Sequence, residues 1–313
     1  MLRTKTFLTT APVTTASVTT GSLNRNFLMK ALPILILLSS AAVASDFSGV
    51  SAMKYTREAV AFGPRPAGSE ANHKLQDYIL SQIRQDGCQV MEDPFVAKTP
   101  FGDKMMDNII AKFPGRSGRA IVITGHFDTK PFPGRKFVGA NDGGSSTGLL
   151  LELARALARK PRIDDVYLVW FDGEEAFRPE WAGLDNLYGS RHLAAKWRQD
   201  QTLTRIKALI NVDMIGDKNL NIKRETNSNP NLLQLVWSTA AELGYQAYFV
   251  NENLATEDDH MPFIQLGVPA LDIIDFDYPP WHEDSDTLDK LSSQSLEIVG
   301  TVVLEVIHRL EIQ

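Results

Sequence analysis

The chain holds a single cysteine, Cys88, among 313 residues, so no intramolecular disulfide can form and a zinc cage built on thiolates is excluded. Histidine is scarce too, six in all. Any metal must therefore be held by these few imidazoles together with Asp or Glu. A basic excess is also missing: 32 Lys and Arg stand against 38 Asp and Glu, a net charge of -6, which argues against a nucleic-acid partner or an anionic membrane surface. No internal repeat is visible. With 43% apolar and 22% charged residues and ordinary glycine and proline content, collagen-like, coiled-coil and wholly disordered readings fall away. An enzyme-sized globular domain is left.

The first 44 residues lack Asp and Glu altogether. From Met29 the chain reads MKALPILILLSSAAVAS: a basic Lys30, an apolar run, then Ala42, Val43 and Ala44, the pattern of a secretory signal cleaved after Ala44. The run is too short and too rich in Ser and Ala to be read as a membrane span, and no stable membrane insertion is expected. Residues 1–28, rich in Thr and Ser and without periodicity, read as an artefact of start-site choice or as a disordered extension, with translation starting at Met29. Without residues 1–44 the chain loses Arg3, Lys5, Arg25 and Lys30, so 28 basic residues face 38 acidic ones and the net charge becomes -10. The expected location is outside the cytoplasm, periplasmic or secreted.

Residues 45–313 then alternate apolar strand-like runs with amphipathic stretches. The pattern predicts helices over 50–61, 70–85, 145–159, 190–197, 231–243 and 292–310, and strands over 108–113, 120–125, 166–171, 208–214 and 270–274. Such alternation implies one α/β domain, a mixed and mostly parallel sheet with helices on both faces. Three runs end in groups that can carry chemistry: 120–125 in His126 and Asp128, 166–171 in Asp172, Glu174 and Glu175, and 208–212 in Asp213. Ligands of open α/β sheets gather beyond the carboxyl ends of strands. Carboxylates assembled on one such edge repel unless a cation or shared protons intervene.

The stretch GHFDTKPFPGRKFVGANDGGSSTG supplies His126, Asp128 and Asp142, the last on a glycine-rich turn leading into a helix. DGEEAF supplies Glu174 and Glu175, TEDDHMPF supplies Asp258, Asp259 and His260, and PPWHEDSD supplies Trp281 and His282. A catalytic zinc keeps one position open, so one His and two acids suffice as its protein shell.

GHFD, GANDG, DGEEAF, NVDMIG, EDDHMPF and WH, in this order, resemble the zinc aminopeptidase superfamily and, more closely, its glutaminyl-peptide cyclotransferase branch. The likeness runs from the Gly63-Pro64-Arg65 turn to the last helix. It implies a zinc-exopeptidase-like fold with Asp142, Glu175 and His282 as zinc ligands and Glu174 as general acid and base. It implies further that Asp213 and Asp258 form a hydrogen-bonded acid pair beside the metal, and that Trp181 and Trp281, with Tyr278, wall the substrate pocket. LYGSRHLA, after Trp181, resembles the same branch. The implied substrate is the N-terminus of a peptide or protein: an N-terminal glutamine would cyclise to pyroglutamate with release of ammonia. Successive side chains of an extended segment point apart, so Glu174 is left to move protons while Glu175 binds.

Two other readings stand beside this one. In a two-zinc aminopeptidase His126 and Asp213 would bind a second ion, with Asp142 bridging; in the one-zinc scheme His126 is structural and Asp128 orients a neighbour. In the other, the fold is a catalytically idle binding module. Asp259 and His260 are expected as cap and first-turn residues of a helix, and Arg159, Lys160 and Arg162 as a solvated helix end.

Overall fold

The computed structural model describes residues 46–313, and the expected leader lies outside the described residues. Two helices open it, α1 (Gly49–Val60) and α2 (Glu70–Ile83), each started by a serine, Ser48 or Ser69, whose hydroxyl accepts a backbone N–H of the first turn. A hairpin follows, β1 (Gln89–Thr99) and β2 (Gly102–Phe113), then β3 (Ala120–His126), α3 (Gly144–Leu157), β4 (Asp165–Phe171), α4 (Tyr188–Gln199) and β5 (Ile206–Asp213). The remainder is β6 (Ile222–Glu225), α5 (Pro230–Glu242), β7 (Phe249–Leu254), the single turn α6 (Met261–Ile264), β8 (Ala270–Ile274) and α7 (Ser293–Glu311).

Six strands make one sheet in the order β1-β2-β4-β3-β5-β8. The β1-β2 and β2-β4 pairs are antiparallel and the β4-β3, β3-β5 and β5-β8 pairs parallel; β6 and β7 form a separate parallel pair. The central strands are buried on both faces, which is why they read as mostly apolar runs; the buried polar exceptions Thr124 and Asn211 pair with each other, Thr124 Oγ1 donating to Asn211 Oδ1 at 2.7 Å. Along β4, Val166, Leu168 and Trp170 face the layer built by α1, α2, α3, α5 and α7, while Tyr167, Val169 and Phe171 face α4 and α6. The helix-covered mixed sheet expected from the sequence is thus present. Gly148 lets α3 lie against α1, since a Cβ there would come 2.1 Å from Thr56 Oγ1.

Register decides where the chemistry falls. His126 pairs opposite Phe171, and Asp213 opposite Ile274, so the carboxyl ends of β4, β3, β5 and β8 open side by side on one edge. Three features differ from the sequence reading. β1 was not expected, because Glu92, Asp93 and Pro94 interrupt its alternation, as suits a strand with one unpaired edge. The pair β6 and β7 was also missed. Arg162, expected in solvent, is buried and binds Glu311 Oε2 of α7 at 2.9 Å, while Lys160 reaches Asp46.

Candidate metal centre and pocket

The turn that carries Asp142 is held from three sides. Buried Arg65 donates from Nε to Phe127 O at 2.7 Å and from its terminal nitrogens to Val138 O and Gly139 O, pinning the stretch before the turn. Asp286 accepts the N–H groups of Asn141 at 2.8 Å and Asp142 at 3.1 Å. Gly143 takes φ +77° where a Cβ would meet Asp128 O at 2.6 Å, so the turn closes tightly over the end of β3. The double glutamate is held similarly: the Asp128 carboxylate accepts N–H of Glu174 at 3.1 Å and of Glu175 at 3.3 Å. Asp128 thus holds the backbone of both glutamates.

Asp142, Glu175 and His282 converge. Each offers one ligand atom, all within 4.8 Å of one another, with His282 Nε2 3.1 Å from Glu175 Oε1 and 3.4 Å from Asp142 Oδ2. Asp142 Oδ2 and Glu175 Oε2 are buried without a hydrogen-bond partner. Two such carboxylates and an imidazole suit a divalent cation, zinc above others. His282 sits at φ +56°, its ring stacked on Trp281 with centroids 4.2 Å apart. A second group shares Asp142: His126 Nε2 lies 3.2 Å from both Asp142 Oδ1 and Asp213 Oδ1.

The double glutamate lies in a loop after Gly173 rather than in a strand, yet its two side chains do part. Glu174 Oε2 faces His126 Nδ1 at 3.9 Å, outside the Asp142, Glu175, His282 group. Burial pushes the Glu174 carboxyl well above the usual range, with Glu175, Asp258 and Asp259 adding to it against His126. Burial likewise lifts Asp213 to about 7, helped by Asp258 and Asp142 and opposed by His126. For His282 burial works the other way, but Glu175 and Asp142 prevail and raise it to about 10. Burial alone would raise Asp142, but the imidazoles of His126 and His282 beside it prevail and move it down. A site so crowded with acids holds protons or a cation at neutral pH.

These groups floor a cavity of about 540 Å³. Trp181, Ile274, Phe276 and Trp281 give its apolar side, and Glu174, Asp213 and Asp258 also line it. Two expectations need correction. Tyr278 is no pocket wall: its ring is buried with Met214 and Ile274, and its hydroxyl donates to Asp286 Oδ1 at 2.6 Å, behind the Asp142 turn. Asp213 and Asp258 sense each other's charge, but the hydrogen bond implied between them is not among the contacts of the described residues. Asp213 Oδ1 is taken by His126 and by Met214 N–H, whereas Asp258 Oδ1 accepts Asp259 N–H. His260 does stand at the N-cap position of α6, though its side chain makes no capping hydrogen bond there; fully buried, it meets Glu225 Oε2 at 3.2 Å through Nε2.

Sequence reasoning missed Arg65, Lys130, Phe276 and Asp286. Lys130 is buried, donates to Ala176 O at 3.1 Å and stands 3.6 Å from Glu175 Oε2. Asp286 resembles its neighbours Glu283 and Asp284 in sequence, yet those two bind Arg135 at the surface. Only the fold separates them.

A mixed α/β sheet whose strand ends gather an Asp, Glu and His triad, with a spare carboxylate beside it, defines a metal-binding protein of the zinc-exopeptidase class. Comparison with known proteins agrees. The Peptidase family M28 profile matches residues 108–307. The glutaminyl-peptide cyclotransferase of Bos taurus is 31% identical over 320 residues, covering 88% of each chain. The crystal structure of an Acidobacteriales bacterium glutaminyl cyclase superposes with a TM-score of 0.82 at 43% identity, over 85% of this chain and 95% of that one. A Zn-dependent exopeptidase from Parabacteroides distasonis gives 0.76 at 29% identity, over 84% and 98%. The chain belongs to the M28 family and, within it, to the glutaminyl-peptide cyclotransferase branch.

Proposed function

We propose that this protein is a zinc-dependent glutaminyl-peptide cyclotransferase in which Asp142, Glu175 and His282 hold one ion and Glu174 shuttles the proton. The observation that carries the reading is the Glu174 carboxyl, buried at the edge of the triad without belonging to it and opening into a pocket with aromatic walls. Zinc held by the triad would supply Lewis acidity to the side-chain carbonyl of an N-terminal glutamine. The walls formed by Trp181, Phe276 and Trp281 fold that side chain back toward its own α-amine, so nucleophile and electrophile meet within one residue. The amine nitrogen bonds to the side-chain carbonyl carbon while Glu174 accepts its proton. Glu174 then returns the proton to the amide nitrogen, the C–N bond breaks, and ammonia leaves a pyroglutamyl ring. Asp258, with Glu175 and Asp259, stabilises the protonated form of Glu174 through its charge, and Asp213 lines the same pocket beside His126.

The group of His126, Asp142 and Asp213 favours a second reading, a two-ion aminopeptidase in which Glu174 deprotonates water. Incubating the protein with a Gln-initiated peptide and with a leucyl aminopeptidase substrate separates the two. Ammonia released without chain shortening supports cyclisation, and a free amino acid overturns it. We also propose that residues 45–313 are the catalytic domain and that the chain is exported and cleaved after Ala44, which N-terminal sequencing of the mature protein tests. Among the described residues no helix is long and apolar enough to cross a membrane.

A further inference from the structure

The excursion from Glu175 to Tyr188 leaves the site and returns to it. Leu187 N–H donates to Glu174 O and Tyr188 N–H to Gly173 O, both at 2.8 Å, so the loop is closed at its base on the backbone of the double glutamate. Trp181 lies near its tip and lines the pocket, while Leu184 beside it is 77% exposed. A loop of this kind, with few apolar contacts at its tip, has little to fix an indole against a substrate unless its stem is rigid.

The stem is rigid in a specific way. Asp185, itself buried, accepts N–H of Phe177 at 3.1 Å and of Arg178 at 3.0 Å from the outgoing limb, and the Tyr188 hydroxyl at 2.7 Å from the start of α4. Arg191, one turn into α4, spans the returning limb. Its guanidinium reaches Gly183 O and Leu184 O at 3.4 Å each, Asn186 Oδ1 at 2.7 Å and Asn186 O. Asp185 thus joins the outgoing limb to the helix, and Arg191 joins the returning limb to the same helix. Tyr188 and Arg191 belong to the LYGSRHLA stretch, whose place in the chemistry is otherwise unaccounted for.

We propose that Asp185, Tyr188 and Arg191 form a clamp that fixes the position of Trp181 over the pocket, making them positioning residues for substrate binding. None of them touches the reacting atoms. Their effect on catalysis rests on the pocket reading above, but their effect on Trp181 does not.

The test uses the full chain with zinc, labelled with 5-fluorotryptophan at its five tryptophans. Trp181→Ala identifies the Trp181 resonance by its loss. Asp185→Ala and Arg191→Met should each move and sharpen that resonance toward free 5-fluorotryptophan while the other four stay in place, which also shows that the variants are folded. With a Gln-initiated peptide each should raise KM about tenfold with kcat within about twofold and zinc content unchanged, and Asp185→Ala should add nothing in a Trp181→Ala background. An unmoved Trp181 resonance overturns the clamp, as do KM effects of Asp185→Ala and Trp181→Ala that multiply. If the resonance is released but Trp181→Ala leaves KM unchanged, the clamp is supported and the pocket reading falls.

Discussion

Asp286 is the residue on which the metal site leans most heavily without touching it. Its Oδ1 takes Asn141 N–H at 2.8 Å and the Tyr278 hydroxyl at 2.6 Å, and its Oδ2 takes Asp142 N–H at 3.1 Å. Asp286→Ala strands three donors in a buried place, and although each costs about 1–3 kcal/mol when left unpaired, water entering the vacated space offsets part of it, so about 3 kcal/mol is expected. At about 2–4 °C per kcal/mol for a domain near this size, Tm should fall by about 9 °C. The larger consequence is for the ligand. With its own N–H released, Asp142 loses its fixed approach to His282, and zinc affinity should fall about 10–100-fold, the usual effect of removing a support behind a metal ligand. Asp286→Asn should weaken zinc too, since its amide NH2 would face Asp142 N–H. Competition with a chromogenic chelator gives the affinity and urea unfolding gives the stability. Loss of stability with zinc affinity held within about twofold would refute the argument and reduce Asp286 to scaffolding. Tyr278→Phe removes one donor and no pocket surface, so it should cost about 1 kcal/mol and leave KM alone.

Glu174→Gln should keep its zinc and lose about 10²–10⁴-fold in kcat, because an amide neither accepts nor returns the proton. Metal analysis beside steady-state rates checks this, and zinc loss would mean that the two glutamates have exchanged roles. His282→Ala should retain less than about a tenth of its zinc under dialysis that leaves the unmodified protein loaded, and chelation of the unmodified protein should abolish turnover reversibly. Acid stability has a contribution away from the metal. Burial opposes ionisation of Glu225, but hydrogen bonds from His260, Asn227 and Ser228 hold its carboxyl down at about 2, below its ordinary 4.5. A depressed carboxylate stabilises the fold above its unfolded pKa, and this contribution is lost as pH falls through the folded one. The stability gap between the unmodified protein and Glu225→Gln should therefore be full at neutral pH, on the order of 2–3 kcal/mol for a shift of this size. It should fade between about 4.5 and 2. A gap unchanged by acid would show that the glutamate is not held in its charged form. Gly148→Ala should destabilise by about 1–3 kcal/mol in urea, because its methyl would enter the α1 and α3 contact.

What could be read from the sequence follows from what burial does to it. Strands β3, β4, β5 and β8 are covered on both faces, so their residues are mostly apolar, with Thr124, Asn211 and Asp272 as buried exceptions, and the polar groups beginning at His126, Asp172 and Asp213 stand out at their ends. Those ends are also where the fold gathers ligands, so the same contrast that marks the strands marks most of the site. β1 escaped because an edge strand carries charge and proline to discourage further pairing, and a strand so protected no longer looks like one. Tyr278 was misread for a related reason. Next to PPWH an aromatic residue has two natural places, against substrate or against core, and its buried ring with a hydroxyl on Asp286 falls in the second. Asp286 and Arg65 were beyond local reading altogether, since their work is to hold main-chain groups more than 60 positions away. The residues that would touch the ion or the substrate belong to short motifs, while those that fix the motifs in space are scattered through the chain. A site can therefore be listed from sequence well before its geometry can be explained, and substitutions at the scattered supports are the more searching test of whether the geometry has been understood.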